Sequence, residues 1–383
     1  MFAGFPCQDV SKLNPSAPQN RTVIRDASKR TGTVFNDVLA YFSKLEAGNW
    51  PELPKYKSLI LENVLGLVER PPGTNPTTGE PWPSNLEYCN HLARRHGLLM
   101  LAFTLDPRSF GMPVTRSRAS WNNLRTALVW LICFSEALLR DAHMTEADVQ
   151  QLAQSVILKV RDAQIRDLDE FLLPLSHPLV QAELQRAKQL HAKRLAAEES
   201  RKTSGKTKSA KWPETHARVC DQLGLDWWDS GVPAEDVLRD HPGLLRLTDR
   251  QFDFLRMVGV NFPDKRKFCL ELSQNQRNTR AARKVVSGRA DIITPKGMQL
   301  VGHQARCLLG YEGLLLQGIH YGPEHFKLEE QDDDLLRDLA GNAFNSYCCA
   351  AIWITKQCVM ATLWEAAKVA TNGSEDDLFV FRG

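Results

Sequence analysis

The chain has 383 residues, 43% hydrophobic and 24% charged, with a formal net charge of +3. That length and balance suit two ordinary domains, or one large domain with an insertion, and exclude a disordered chain. No run approaches the roughly 18–20 apolar residues of a membrane span, and Met1 to Phe5 lack the basic start and apolar core of a secretory signal. Nine cysteines are scattered with no CxxC pair, so neither a zinc site nor a disulfide framework is expected and no residue is assigned to a metal. The expectation is a reduced, intracellular protein that is not membrane-embedded. With so small a net charge, attraction to nucleic acid has to come from local patches.

The first 120 residues read as α/β. Lys57 to Glu62 (KSLILE) is a short apolar run with the look of a buried parallel strand. A Pro/Gly-rich loop, Pro71 to Pro83, separates it from a helix over Asn85 to His96 that Ser84 and Glu87 open as a capping box. Leu98 to Leu105 (LLMLAFTL) reads as a second buried strand, stopped by Asp106 and Pro107, so the three elements make a βαβ unit.

From Asn123 the character changes. Leu124 to Asp141 is strongly apolar and reads as a helix, and Thr145 to Leu168 reads as another with Thr145 at its cap. Gln181 to Trp212 is a basic helix running into a Ser/Thr/Lys/Gly linker. Between Arg186 and Lys211 it holds nine Lys or Arg against two acids, Glu198 and Glu199. This segment is either a solvated arm and tether or a phosphate contact. Trp227 and Trp228 open a compact piece that ends near Pro263. Gly341 to Ala367 reads as a long apolar helix that needs a cover. There is no internal repeat.

Three segments hold chemistry-bearing residues. The first is Gly4-Phe5-Pro6-Cys7-Gln8, where proline fixes the turn before a cysteine. A cysteine taken alone is more often a small buried hydrophobe than a nucleophile. The second is Glu62-Asn63-Val64 at the carboxyl end of the first strand, where the crevice of an open α/β sheet lies; the acid is a cap or a catalytic carboxylate. The third is Arg116-Ser117-Arg118, past Phe110-Gly111-Met112-Pro113. Arginines at i and i+2 on an extended segment share a face, and serve either as surface cations or as a joint grip on a phosphate or base.

The order G-F-P-C-Q-x-x-S, L-I-L-E-N-V, F-G-x-P-x-x-R-x-R, L-Q-G (Leu316 to Gly318) and G-N-A-F (Gly341 to Phe344) resembles the DNA cytosine-5 methyltransferases. The resemblance covers residues 2–118 and about 271–367. It implies a partial Rossmann-like class I methyltransferase sheet with a mostly helical target-recognition region. It further implies that Cys7 is the nucleophile that adds to cytosine C6, that Glu62 holds the ring N3 and exocyclic amine, and that Arg118 binds O2. Gln8, Asn63 and Arg116 would stand at the substrate or DNA, as would Arg277 and Arg280 from a basic cluster that continues through Arg283, Lys284 and Arg289. Gly32, in Arg30-Thr31-Gly32-Thr33-Val34-Phe35, and Asn342 would contact S-adenosyl-L-methionine, the methyl donor.

The departures are as specific as the matches. The family's F-x-G-x-G cofactor loop, and the acid on the next strand, precede the P-C-Q loop, and Met1 stands six residues before Cys7. Val114 and Val10 replace a usual glutamine and phenylalanine. The expectation is a chain lacking the N-terminal cofactor-binding third, with an unpaired sheet edge at the KSLILE strand. Its parts would be the C-terminal half of a catalytic domain (1–120), a recognition domain (121–330) with a basic linker near 186–211, and a closing segment (331–383). DNA is the implied partner, a partner methyltransferase a further one, and the nucleus the location if the source is eukaryotic. A non-catalytic DNA-binding or accessory relative, and a transfer-RNA cytosine-5 methyltransferase, are the alternatives.

Overall fold

In a computed structural model the described residues are 2–4, 9, 22–46, 58–114, 128–161, 164–203, 212–224, 233–273, 285–291, 293–320, 327 and 331–370. Chain contacts divide the protein into two units. The first comprises Met1–Asp106, Ala127–Arg161 and Cys348–Gly383, and the second Pro107–Thr126 and Asp162–Tyr347. The division departs from boundaries at 120 and 330: Leu128–Ser135 pairs with the earlier strands, and the chain returns to that unit at Cys348.

The first unit is α/β. Its elements are β1 (Phe2–Gly4), α1 (Lys29–Glu46), β2 (Ser58–Val64), α2 (Asn85–Arg95), β3 (Leu98–Leu105), β4 (Leu128–Ser135), α3 (Glu136–Asp141) and α4 (Glu146–Val160). The strand order is β1-β2-β4-β3, with β1 parallel to β2 and β4 antiparallel to both β2 and β3. The expected strands at 57–62 and 98–105 are present and run the same way. They are not neighbours, however, because β4 lies between them. The helix expected over 124–141 is instead strand β4 followed by the short α3. Leu128–Ser135 (LVWLICFS) is apolar nearly throughout, and such a run carries no period to separate strand from helix. Sheet pairing on both sides decides it.

One face of this sheet packs on α1 and α2. Phe35, Leu39 and Phe42 of α1 and Cys89, Leu92 and Ala93 of α2 share a buried cluster with Leu59 and Leu61 of β2, Met100 of β3 and Leu131 of β4. Helix α2 begins where its sequence says: Ser84 accepts from the Glu87 amide at 3.1 Å while the Glu87 carboxylate accepts from the Ser84 amide at 2.7 Å. The opposite face carries Ile60, Ile132 and Phe134, all buried. Strand β2 is interior, so the unpaired edge expected there is not found. Among the described residues the strands of this sheet with one neighbour are β1, three residues long, and β3, eight residues long.

The second unit is mainly helical, with α5 (Pro178–Thr203), α6 (Trp212–Leu223), α7 (Glu235–Asp240), α8 (Asp249–Met257), α9 (Gly310–Leu316) and α10 (Asp333–Asn342). It also holds a small sheet of β5 (Phe268–Glu271), β6 (Arg289–Ala290), β7 (Gln299–Val301) and β8 (Arg306–Cys307), in the order β6-β5-β7-β8. Strands of two to four residues are too short to leave a period in the sequence. Arg306 and Glu312, both fully buried, form a two-pronged ion pair with bonds of 2.8 and 2.6 Å. The Glu312 carboxylate also accepts the Leu173 and Leu309 amides, so the pair is satisfied on all sides.

The basic helix is present as α5, and part of its charge is used inside the unit. Arg186 reaches Asp334 at 3.2 Å, and Arg194 donates to the Leu247 carbonyl at 2.7 Å and to that of Leu245. From Leu195 to Ser200 every residue is exposed, as in a solvated arm. The long apolar helix expected over 341–367 is two elements. Helix α10 ends at Asn342, and α11 (Ser346–Ala370) starts after a break and continues with the first unit from Cys348. Trp353 and Trp364 of α11 remain about half exposed.

Candidate active site

The parallel register of β1 on β2 sets the site. Gly4, the last residue of β1, stands opposite Glu62, near the end of β2. Both are therefore at the carboxyl ends of adjacent parallel strands, where the crevice of an open sheet forms. Across β2 on the other side, Glu62 pairs with Trp130 and Asn63 with Val129. Strand alternation turns Glu62 and Asn63 to opposite faces of the sheet. Glu62 is 8% exposed, and Asn63, which the resemblance sets beside DNA, is fully buried.

Cys349 of α11 lies near the Glu62 carboxyl. Burial first, and the Glu62 carboxylate second, push its thiol up to about 12. Burial likewise raises the thiols of Cys89, Cys133, Cys220, Cys269 and Cys307. A thiol held above its ordinary range carries little thiolate at neutral pH, so these six are poor nucleophiles.

Asp9 is tied to the start of α1. One oxygen of its carboxylate accepts both the amide and the hydroxyl of Thr31, each at 2.9 Å. An acid there satisfies a donor that the helix cannot and suits the positive end of the helix. Before the helix, residues 22–28 make a tight turn in which Ser28 donates to the Val23 carbonyl at 3.0 Å. Ala27 and Lys29 hold positive φ, 44° and 54°, a conformation that non-glycine residues adopt at a cost. Gly32 follows because a Cβ there would overlap the Val23 carbonyl. The glycine serves backbone packing, and the space beside it is filled by protein.

In the second unit the L-Q-G and G-N-A-F segments meet. Gln317 donates its side-chain amide to the Ala340 carbonyl at 3.2 Å. Ser346 donates its backbone amide to Gln317 O at 2.8 Å and its hydroxyl to Gly318 O at 2.6 Å. Gly318 has φ +75°, and a side chain there would strike Ser346 and Tyr347. Asn342 is exposed, and its side chain donates to the Asp338 carbonyl at 2.9 Å. Trp212 packs its ring 5.3 Å from that of buried His216, a structural use of one tryptophan near the basic linker.

Cys7, Gln8, Arg116, Arg118, Arg277 and Arg280 lie outside the described residues, as do Trp227 and Trp228. Of the assigned residues, Glu62, Asn63 and Gly32 fall in the first unit and Asn342 in the second. Asp9 was not singled out by sequence reasoning; an acid immediately after P-C-Q was its only signal. Among the described residues no group of three or more His, Cys, Asp or Glu could hold a metal ion, and no helix is long and apolar enough to cross a membrane.

No protein-family model matches the chain, and no curated protein matches it. Among solved structures, the chain is similar to the Entamoeba histolytica methyltransferase EhMeth, with a TM-score of 0.37 and 11% identity over 95% of this chain and 76% of that one. It is also similar to the S. pombe Dnmt2 methyltransferase, with a TM-score of 0.31 and 10% identity over 96% and 88% of the two chains.

Proposed function

We propose that the chain belongs to the cytosine-5 methyltransferase type and that its own residues perform the covalent activation of cytosine in DNA, on a Rossmann-like sheet whose carboxyl edge holds the site. The observation that carries this reading is the register of Gly4 opposite Glu62. Cys7 follows Gly4 by three residues, and a chain reaches at most about 3.5 Å per residue. A P-C-Q cysteine and an E-N-V glutamate therefore begin from neighbouring strand ends, which is what a shared crevice needs.

The chemistry suits the groups. Cytosine is electron-poor at C6; the Cys7 thiolate adds there and forms an S–C6 bond while the ring's electron pair moves toward C5. The Glu62 carboxyl supports the adduct at N3 and the exocyclic amine as charge develops. C5 is now nucleophilic and takes a proton from water. Loss of a C5 proton and of the thiolate returns cytosine. Arg118 binds O2, Arg116 steadies a phosphate, and Gln8, Arg277 and Arg280 stand at the DNA. The base has to leave the stack first, at a cost of a few kcal/mol.

The described residues do not make a cradle for S-adenosyl-L-methionine. The space at Gly32 is filled by the Val23 carbonyl, and the Asn342 amide is engaged by Asp338. The activation of C5 described above uses the chain's own residues and no methyl donor. The test needs none: the full chain is incubated with duplex DNA carrying tritium at cytosine C5. Release of tritium to water above the protein-free rate, and its loss in Glu62→Gln, support the reading; no release from the wild-type chain contradicts it.

A further inference from the structure

We propose that a hollow between α7 and α8 in the second unit is a binding site for a small, free carboxylate that carries a ring. The proposal is independent of the reading of Cys7, and none of the residues used above lines this hollow. The cavity measures about 210 Å³. Phe252 and Leu255 of α8, with Val260 just beyond the helix, form a buried floor, each 5% exposed or less. Val237 of α7 and Phe262 are half-buried walls, and the lining reaches water at exposed Asn261.

The sequence builds this hollow. Phe252, Leu255 and Arg256 fall at i, i+3 and i+4, so one face of α8 presents two apolar side chains and a guanidinium together. The helix ends in a turn at Gly259, φ +72°, where Val260 donates to the Leu255 carbonyl at 2.9 Å. Arg266 holds that turn by donating to the Gly259 carbonyl at 2.7 Å, and Asp264 fixes Arg266 with a bond of 3.0 Å. Walls set before a ligand arrives take ordering cost out of binding.

Size and charge name the occupant. An apolar cavity of about 150 Å³ takes up benzene, so this one has room for a ring and a short arm. Among the described lining residues Arg256 alone is charged. Buried Asp253 lies 3.7 Å from its guanidinium, a looser contact than a hydrogen bond. A guanidinium has five donors in a fork that matches the two oxygens of a carboxylate, and a ligand acid at the hollow would meet that fork at closer range. Glu235 and Asp236 of α7 are exposed, where water and salt screen their repulsion of an anion. A nucleobase of similar size needs partners along its whole polar edge, and among the described lining side chains only Arg256 and Asn261 offer any.

The probe is hydrocinnamate, titrated against the full chain by ligand-observed NMR at fixed salt, with hydrocinnamamide as its uncharged counterpart. The acid should bind about tenfold more tightly than the amide, the worth of a charge-assisted hydrogen bond. Arg256→Gln should abolish that preference by weakening the acid and leaving the amide unchanged. If Arg256→Gln does not fold beside buried Asp253, Arg256→Lys keeps the charge without the fork and should narrow the preference. Val237→Phe fills the hollow and should weaken both probes about tenfold or more. N-acetylphenylalanine, which adds a peptide group to the same ring and acid, should bind less well than hydrocinnamate. Tighter binding of that compound would assign the site to a peptide's carboxyl terminus and overturn the free acid. Equal binding of acid and amide, acid binding undiminished in Val237→Phe, or no binding at millimolar probe overturns the proposal.

Discussion

The Glu62 carboxylate and the Cys349 thiol, far apart in the chain, are electrostatic neighbours, and the carboxylate helps hold the thiol protonated. Glu62→Gln removes that charge. The Cys349 pKa should then move down toward its ordinary range while burial keeps it raised. Alkylation of Cys349 measured against pH should show the midpoint shifting to lower pH in Glu62→Gln.

Buried His216 gives a pH signature. Burial first and Arg250 second lower its pKa from 6.5 to about 4. The folded state thus keeps it neutral where the unfolded state has it protonated. Above about pH 6.5 both states are neutral and the residue adds no slope; as pH falls from there toward 4, the unfolded state binds the extra proton and stability is lost. The loss should total roughly 3 kcal/mol. Denaturant midpoints across that window should show the decline, and His216→Phe should flatten it.

The Arg306–Glu312 pair should be costly to break and cheap to replace. Arg306→Met leaves a buried carboxylate without its cation and should destabilise the second unit by about 3–5 kcal/mol. The double variant Arg306→Met with Glu312→Leu should recover much of that loss. Urea unfolding of the four forms gives the cycle.

Gly32→Ala separates packing from cofactor contact. The new methyl would meet the Val23 carbonyl, so the turn before α1 has to shift. The first unit should lose about 1–3 kcal/mol, read as a lowered melting temperature without any ligand present.

Some of this was legible in the sequence because the causes are local. Strands β2 and β3 are apolar runs closed by breakers, and the capping boxes at Ser84 and Thr145 are four-residue signals that the structure realises. Strand β4 was not legible, since an unbroken apolar run is decided by what pairs with it. The Asp9–Thr31 tether spans 22 positions and the Arg306 contact with the Leu173 carbonyl spans 133; no local pattern announces either. Glu62 was readable as an acid at a strand end, but its opposition to Gly4 comes from sheet register. Gly32 was marked only as a cofactor contact through the resemblance; that a Cβ there would overlap the Val23 carbonyl comes from the fold and leaves no local signal.

The central claim is that Cys7 is the attacking thiol, and the most direct measurement is tritium release from C5-labelled cytosine DNA by wild type, Cys7→Ala and Cys349→Ala. The account predicts release by the wild-type chain, background release by Cys7→Ala with DNA binding retained, and near wild-type release by Cys349→Ala, whose raised thiol is no nucleophile. Release that persists in Cys7→Ala would contradict it.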